Sequence, residues 1–478
     1  MTTEVAPRIH RSIWYMGVKT RVIPGYLSRV LEAELAPGST VVDLMSGSGV
    51  VSAFCADRYR VFANDVQLYS SLITRSLIEH APSTKRKFLS SLDADADLQE
   101  AYRANLRSLR RHYRGALEVE DDLLGEFRAA GERIPTGRAG ATWSRAYRAF
   151  VDNPAGFYPG GVEPRGQSLY GSAARLVTER AIRERRSRPR KRPSCLVTTY
   201  YGNVYFGLRQ SLVIDSLRAA IDAMDEEQPF AARKRVHYLS ALLHAASVST
   251  SGTSHFAQPR HLRKDSELQA VARRRSIDVL KTFAGYSGEI METVARTSHR
   301  RGNRVFHGDY EQLISSDGRF RFPADVDLVY LDPPYTSDHY SRFYHVLEVI
   351  GRYDYPELEK NDRGEVLRGR YPAMSQRFQS GFCRPGRVEG EFRKVARASA
   401  AVGAKLVISY AHPTGLLIKR YARDPDVRCP VSRFRELCGE FYRKVRIERR
   451  AMMHSGQGDT NLRIEELLLV CTGPRRRG

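Results

Sequence analysis

Apolar and polar positions follow two regimes along the chain. "STVVDLM" (39–45) and "YRVFAND" (59–65) are short, β-branched apolar runs of strand length, while "GVVSAFCADR" (49–58) and "VQLYSSLITRSLIEH" (66–80) carry helical spacing. This order predicts a βαβ unit with parallel strands, whose sheet needs helices on both faces. The same regime resumes at 304. "RVFHGD", "VDLVYLD" and "AKLVISY" (404–410) read as strands and "SDHYSRFYHVLEVIG" as a helix, with "KVRIERRAMM" and "LRIEELLLV" as a closing antiparallel pair. The fold class is α/β, with one sheet drawn from both ends of the chain.

The middle of the chain is different. Residues 81–194 are polar and charge-rich, with a helical patch in "LQEAYRANLRSLRRHYRG" and Gly/Pro-containing loops near 131–168. "RAIRERRSRPRKRP" (180–193) carries so many like charges that it reads as a solvated or phosphate-facing segment, with Pro189 and Pro193 ending any helix. Helical periodicity returns over 208–224, 233–249 and 267–283. The expected organisation is a catalytic domain of 1–80 plus 301–478, interrupted by a mostly helical insertion, 81–300.

Composition narrows the class of partner. The 478 residues hold 77 Lys and Arg against 54 Asp and Glu, a net charge of +23. A chain this basic repels itself unless a polyanion compensates it, and nucleic acid is the usual one. The excess is mostly Arg, whose planar fork suits phosphate and guanine, although an arginine-rich coding bias would give part of it too. No apolar run is long enough to span a bilayer, and "MTTEVAPRIHRSIWYMG" has no signal-peptide pattern. The six cysteines are scattered without a C-x-x-C pair, as expected of reduced thiols in a cytoplasmic protein, with no zinc site.

Four short constellations carry candidate chemistry. In "VVDLMSGSGVV" the first strand ends at Asp43 and passes into a loop with Gly47 and Gly49 before a helix. Glycines admit close backbone approach, and a helix N-terminus offers unpaired N–H groups. Asp65, ending the second strand, is placed to bind ribose hydroxyls, as in dinucleotide sites. Against a pyrophosphate, Ser52 stands where a third glycine belongs and Asp43 would repel it. An acid there suits a ligand bearing a cation, such as the amino group of S-adenosylmethionine. "WYMGVKT" (14–20) reads locally as an ordinary loop. In "RVFHGDYEQL", Asp309 is placed either to accept from an adenine amino group or to cap the following helix.

The fourth is "LDPPY" (331–335). Two prolines end a strand and hold what precedes them extended. The Asp332 carboxylate and the Pro333 carbonyl then form two rigid acceptors for the two hydrogens of one aromatic amine, leaving its lone pair free to attack. Tyr335 is placed to stack on the base. "ISYAHPTG" puts Ser409 and Tyr410 at the same sheet edge, as candidate pocket residues, whereas Tyr340, Phe343 and Tyr344 are placed either to flank a flipped base or, as a helix face more often is, to face the core.

"YMGVK", "DLMSGSG", "ND" and "LDPPY", in this order, resemble the alpha group of adenine-N(6) DNA methyltransferases, the Dam-like family. The resemblance covers roughly 1–80, 196–260 and 303–350. It implies a Rossmann-like methyltransferase sheet, S-adenosylmethionine as cofactor, double-stranded DNA as partner, and cognate restriction or defence proteins as candidate partners. By this likeness Tyr15, Gly17 and Lys19 help bind cofactor, and Asp43, Met45, Ser46, Gly47 and Gly49 hold its methionine end. Asp65 holds the ribose and Asp309 the adenine ring, while Asp332, Pro333, Pro334 and Tyr335 form the target-base pocket. Met45 stands where the family usually has Phe, a soft apolar substitute. The alternatives are an RNA adenine methylase, although the acid of D-P-P-Y favours DNA, and an inactive DNA-binding module of the same fold.

Overall fold

Seven strands form one sheet in the order β3-β2-β1-β4-β5-β7-β6. They are β1 Thr40–Asp43, β2 Arg60–Asp65, β3 Arg304–His307, β4 Leu328–Leu331, β5 Lys405–His412, β6 Tyr442–Ser455 and β7 Asn461–Pro474. The computed structural model describes residues 13, 19–79, 96–152, 171–224, 231–253, 255–296, 302–337, 340–455 and 461–475. Strands β1 to β5 pair in parallel, and β7 runs antiparallel to both β5 and β6. This is the Rossmann-like methyltransferase sheet, drawn from both ends of the chain. Every residue of β1 and β4 is buried, as central parallel strands covered on both faces require.

The closing pair was legible, but not its arrangement: β7 enters between β5 and β6. Its apolar run "LLLVC" is buried to 1% exposure or less, so the last strand takes the inner position.

The described chain divides into two compact units, one of 1–84, 293–340 and 378–478, the other of 85–292 and 341–377. In the first, apolar residues of β4, β5 and β7 share a core with helix Val388–Ala401 (Val388, Phe392, Val395) and helix Pro430–Gly439 (Phe434, Leu437). The second is helical. At its centre lies Leu208–Asp222, buried nearly all round, as a helix surrounded by protein must be. Two buried carboxylates serve helix starts in this unit. Asp215 accepts from the Val197 and Thr198 amides at 2.9 and 2.7 Å, and Glu120 from the Leu208 and Arg209 amides, both at 2.7 Å. Each satisfies donors that a helix start leaves unpaired.

Four local expectations are corrected. Gly137–Val151, expected within a loop region, is a helix. Trp143, Tyr147 and Phe150 face one core at helical spacing, Trp143 stacking on Phe127 and Tyr147 with centroids 5.5 and 4.8 Å apart. Gly140 belongs there because a Cβ would lie 1.9 Å from the Pro135 carbonyl oxygen. The single helix expected over 337–351 is two pieces, Tyr340–Phe343 and His345–Arg352; Phe343 and Tyr344 are buried, as a core-facing surface should be. The periodic run 267–283 likewise divides into Asp265–Arg275 and a helix starting at Val279.

The arginine-rich run is the fourth correction, and the most consequential. Thr178 caps a helix over Glu179–Ser187. Within it Arg185 is 3% exposed, donating through Nη1 to the Lys191 and Pro193 carbonyls at 2.8 Å. Arg186 Nε donates to the Tyr355 carbonyl at 3.0 Å. A guanidinium packs when carbonyls meet its donors, so like charge along the sequence did not keep this side chain in water. Arg188 and Arg190 remain exposed.

Candidate functional site

The parallel strands bring their carboxyl ends to one edge of the sheet. After β1 the chain builds outward one way through β2 and β3, then crosses to β4 on the other side of β1. Ligands of open α/β sheets bind in the crevice at such a switch point. Asp43 ends β1, Asp65 ends β2, and Asp332 follows β4 directly. The Leu44 amide donates to the Tyr330 carbonyl at 3.0 Å, locking the two strand ends side by side.

On the β1 side, the loop Leu44–Gly49 is tied down to the end of β2. Gly47 N donates to Asp65 Oδ2 at 2.8 Å, and the Ser46 amide to the Asn64 carbonyl at 2.9 Å. Gly49 precedes helix Val50–Cys55 at φ +73°, and a Cβ there would sit 2.8 Å from Thr74 Oγ1 and 3.2 Å from Thr74 Cα. Only glycine fits that turn without strain. Asp43 is 1% exposed and accepts from Ser52 Oγ at 2.5 Å. Burial, and then the nearby charges of Asp332 and Asp65, push its carboxyl up to about 7. Asp65 also accepts from the Gln67 amide at 2.8 Å, so part of its acceptor capacity orders its own turn.

Asn64 is the residue of "ND" that the motif reading passed over. Its Nδ2 donates to the Leu44 and Gly308 carbonyls at 3.3 and 3.2 Å, while its buried Oδ1 accepts from no described residue. An orphaned acceptor beside the glycine loop is a place for a ligand donor.

On the β4 side, Lys19 is 6% exposed and reaches two carboxylates: Nζ lies 3.0 Å from Asp332 Oδ1 and 2.8 Å from Glu466 Oε1. Burial works against its charge, but Asp332 and Glu466 outweigh it and hold the ammonium well above its usual range. For Asp332, burial raises the carboxyl above the ordinary range; Lys19 opposes that rise and the Glu466 charge adds to it. Glu466 lies on β7 and also accepts from Ser409 Oγ on β5. Its backbone carbonyl accepts from Tyr26 OH at 3.1 Å. The sequence signal for Glu466 was an acid directly before the apolar run "LLLVC" of β7.

Pro333 is buried and Pro334 half-buried; Tyr335 packs against the sheet core and its carbonyl accepts from the Leu416 amide at 2.8 Å. Ser409 and Tyr410, the candidate pocket residues of β5, carry no exposed surface. Both are fully buried, Ser409 bonded to Glu466 and Tyr410 edge-on to Phe392 and Phe434. Asp309 caps the turn Tyr310–Leu313, one oxygen accepting from the Glu311 amide at 3.2 Å. Met45 is half-buried against the core and Ser46 Oγ accepts from Thr74 Oγ1 at 3.2 Å. Tyr15 and Gly17 lie outside the described residues.

The structure thus gathers Lys19, Asp43, the glycine loop, Asp65 and Asp332 at one sheet edge. Residues 200–371 match the family model of D12 class N6 adenine-specific DNA methyltransferases. The chain is similar to the modification methylase LlaI of Lactococcus lactis subsp. lactis, 22% identical over 431 residues, covering 88% of this chain and 51% of that protein. It is also similar to the modification methylase StsI of Streptococcus sanguinis, 19% identical over 346 residues, 72% of this chain and 37% of that one. A shorter match of 156 residues, 24% identical, joins it to the type II methyltransferase M.FokI of Planomicrobium okeanokoites, over 32% of this chain and 20% of that protein. The chain spans about half the length of the first of these relatives and less of the others. Strand order, acidic strand ends and the matched segment point the same way: over residues 200–371 the chain is similar to D12 class N6 adenine-specific DNA methyltransferases.

Proposed function

We propose that the chain is a DNA adenine methyltransferase, moving a methyl group from S-adenosylmethionine to the exocyclic amino group of an adenine turned out of the duplex. The observation that carries this reading is Asp332, a carboxylate at the end of β4 that already holds an N–H donor, Lys19 Nζ, at 3.0 Å.

The β1 side fits the cofactor. Asp43 is buried, and the charges acting on it most strongly are other carboxylates, so a ligand ammonium would relieve it. Asn64 Oδ1 adds an unmet acceptor. In this reading Asp43, Met45, Ser46 and the Gly47–Gly49 loop take the methionine end, with Tyr15, Gly17 and Lys19 supporting it, Asp65 the ribose and Asp309 the adenine. When bound, S-adenosylmethionine supplies a methyl group on a sulfonium, already electrophilic.

The protein's task is orientation, an effect that reaches on the order of 7–11 kcal/mol at best. Asp332 and the Pro333 carbonyl accept the two amino hydrogens, which turns the nitrogen lone pair toward the methyl group. Tyr335 stacks on the base. Lys19 keeps Asp332 ionised in its half-buried setting, and Glu466 with Ser409 holds Lys19 in place. Asp332 need not remove a proton first, because the amine becomes acidic only after it is methylated. Turning the base out costs a few kcal/mol, which phosphate and pocket contacts offset. The mostly helical segment 81–300 is the target-recognition region in this proposal, supported by its basic surface. A cognate restriction or defence protein is the proposed partner in the cell.

The test is expression in a methylation-free bacterial host, with modified adenines mapped by single-molecule sequencing. Wild type should mark adenine within one short sequence, and Asp332→Ala should mark none. Unmodified adenines in the wild-type culture would refute the activity; methylation by Asp332→Ala would refute the role of Asp332.

A further inference from the structure

The helical unit holds a cavity of about 280 Å³ that the methyl-transfer site does not use, and four arginines line it: Arg260, Arg275, Arg368 and Arg370. Two are deeply placed, Arg275 at 4% and Arg370 at 8% exposure. Arg370 sits in the left-handed region at φ +54°, a conformation a non-glycine residue holds only where its surroundings impose it.

The hydrogen-bond partners of Arg260, Arg275 and Arg368 are almost all neutral. Arg275 donates to Asn203 Oδ1 at 2.8 Å and Ser251 Oγ at 3.4 Å. Arg260 Nε donates to the Gly252 carbonyl at 3.1 Å. Arg368 meets His261 Nδ1 at 2.8 Å and the Arg260 carbonyl at 3.1 Å. Of the lining side chains one is acidic: Asp152, half exposed, with Oδ1 4.0 Å from Arg368 Nη2. Glu120 faces Arg275 but gives its oxygens to the Leu208 and Arg209 amides. Concentrating guanidinium charge around a partly enclosed space, with dipoles and few carboxylates to balance it, favours an anion there. Planar forks converging from several directions suit tetrahedral oxygens.

We propose that this cavity binds a phosphate group, supplied either by a nucleic-acid backbone phosphodiester or by a free phosphate. The first source rests on the DNA reading above; the second does not.

The test uses the full chain and the double variant Arg260→Gln/Arg368→Gln, altered at the cavity's less buried side chains, with Arg275→Lys as a charge-retaining companion. Inorganic phosphate at 10 mM should raise the melting temperature of wild type and leave the double variant's unchanged, with Arg275→Lys showing a reduced rise. Binding to a duplex oligonucleotide, followed by anisotropy from 50 to 300 mM salt, gives the second readout. Loss of about 0.9 in the slope of log K against log salt per phosphate released identifies a backbone phosphodiester. An unchanged slope with the phosphate response lost identifies a free phosphate. If the double variant folds and neither readout changes, the proposal is overturned. Because the phosphate arm needs no DNA, it stands even where no adenine is methylated.

Discussion

Replacing Asp43 with Asn separates what this carboxylate does for a ligand from what it costs the fold. In the folded chain its carboxyl is pushed up from 3.8 to about 7 by burial and by neighbouring acids. Between those two values the unfolded chain has released the proton and the folded chain has kept it. Stability therefore falls as pH rises from about 4 to about 7 and is level above that, at about 1.4 kcal/mol for each pH unit crossed. Asn at 43 can still accept from Ser52 Oγ and has no proton to lose. Chemical denaturation should show Asp43→Asn gaining on wild type by about 3 kcal/mol between pH 5 and pH 8. Calorimetry with S-adenosylmethionine should show the opposite trend in function. Wild-type affinity rises about tenfold per pH unit up to about 7 as Asp43 gives up its proton to meet the ligand ammonium, whereas the variant binds weakly with no such slope. A stability difference that stays flat with pH, or a wild-type affinity that ignores pH below 7, would refute this account.

Three further outcomes are expected. Glu466→Gln removes a charge that raises Asp332, so the acid limb of the methylation rate should move to lower pH; a limb that moves up or stays would refute the coupling. Gly49→Ala forces a side chain onto φ +73° and into Thr74, and should cost about 1–3 kcal/mol of stability along with cofactor affinity, read by denaturation and calorimetry. Arg185→Gln should lower stability by about 1–3 kcal/mol through its lost carbonyl contacts, whereas Arg188→Gln/Arg190→Gln should leave stability alone and flatten the salt dependence of DNA binding.

Strands whose burial is two-sided were legible because β-branched, aliphatic and aromatic residues fill them up to their carboxyl ends, and so the edge carrying Asp43, Asp65 and Asp332 was legible too. The order of β6 and β7 was not, since two apolar runs in sequence do not say which is inner. Glu466 was hidden for a related reason. Its pairing with Lys19 spans 447 residues, and no local pattern reports a contact at that separation. Arg185 was misread because charge runs usually face water, and the carbonyls that satisfy it come from a turn whose shape is tertiary. The helix at 137–151 was masked by its two glycines, one of which is there for close packing.

The interrupted sheet has a consequence for how the protein is made. β2 pairs with β3, which the ribosome adds about 240 residues later, roughly 10–50 seconds at ordinary elongation rates. Throughout that interval the nascent β1–β2 pair has both edges open, and its other neighbour, β4, arrives later still. Only the first segment of the helical unit, 85–292, is made in that interval; its second, 341–377, follows β4. Aggregation during expression should therefore track the speed of translation through 81–300 more closely than the stability of the finished sheet.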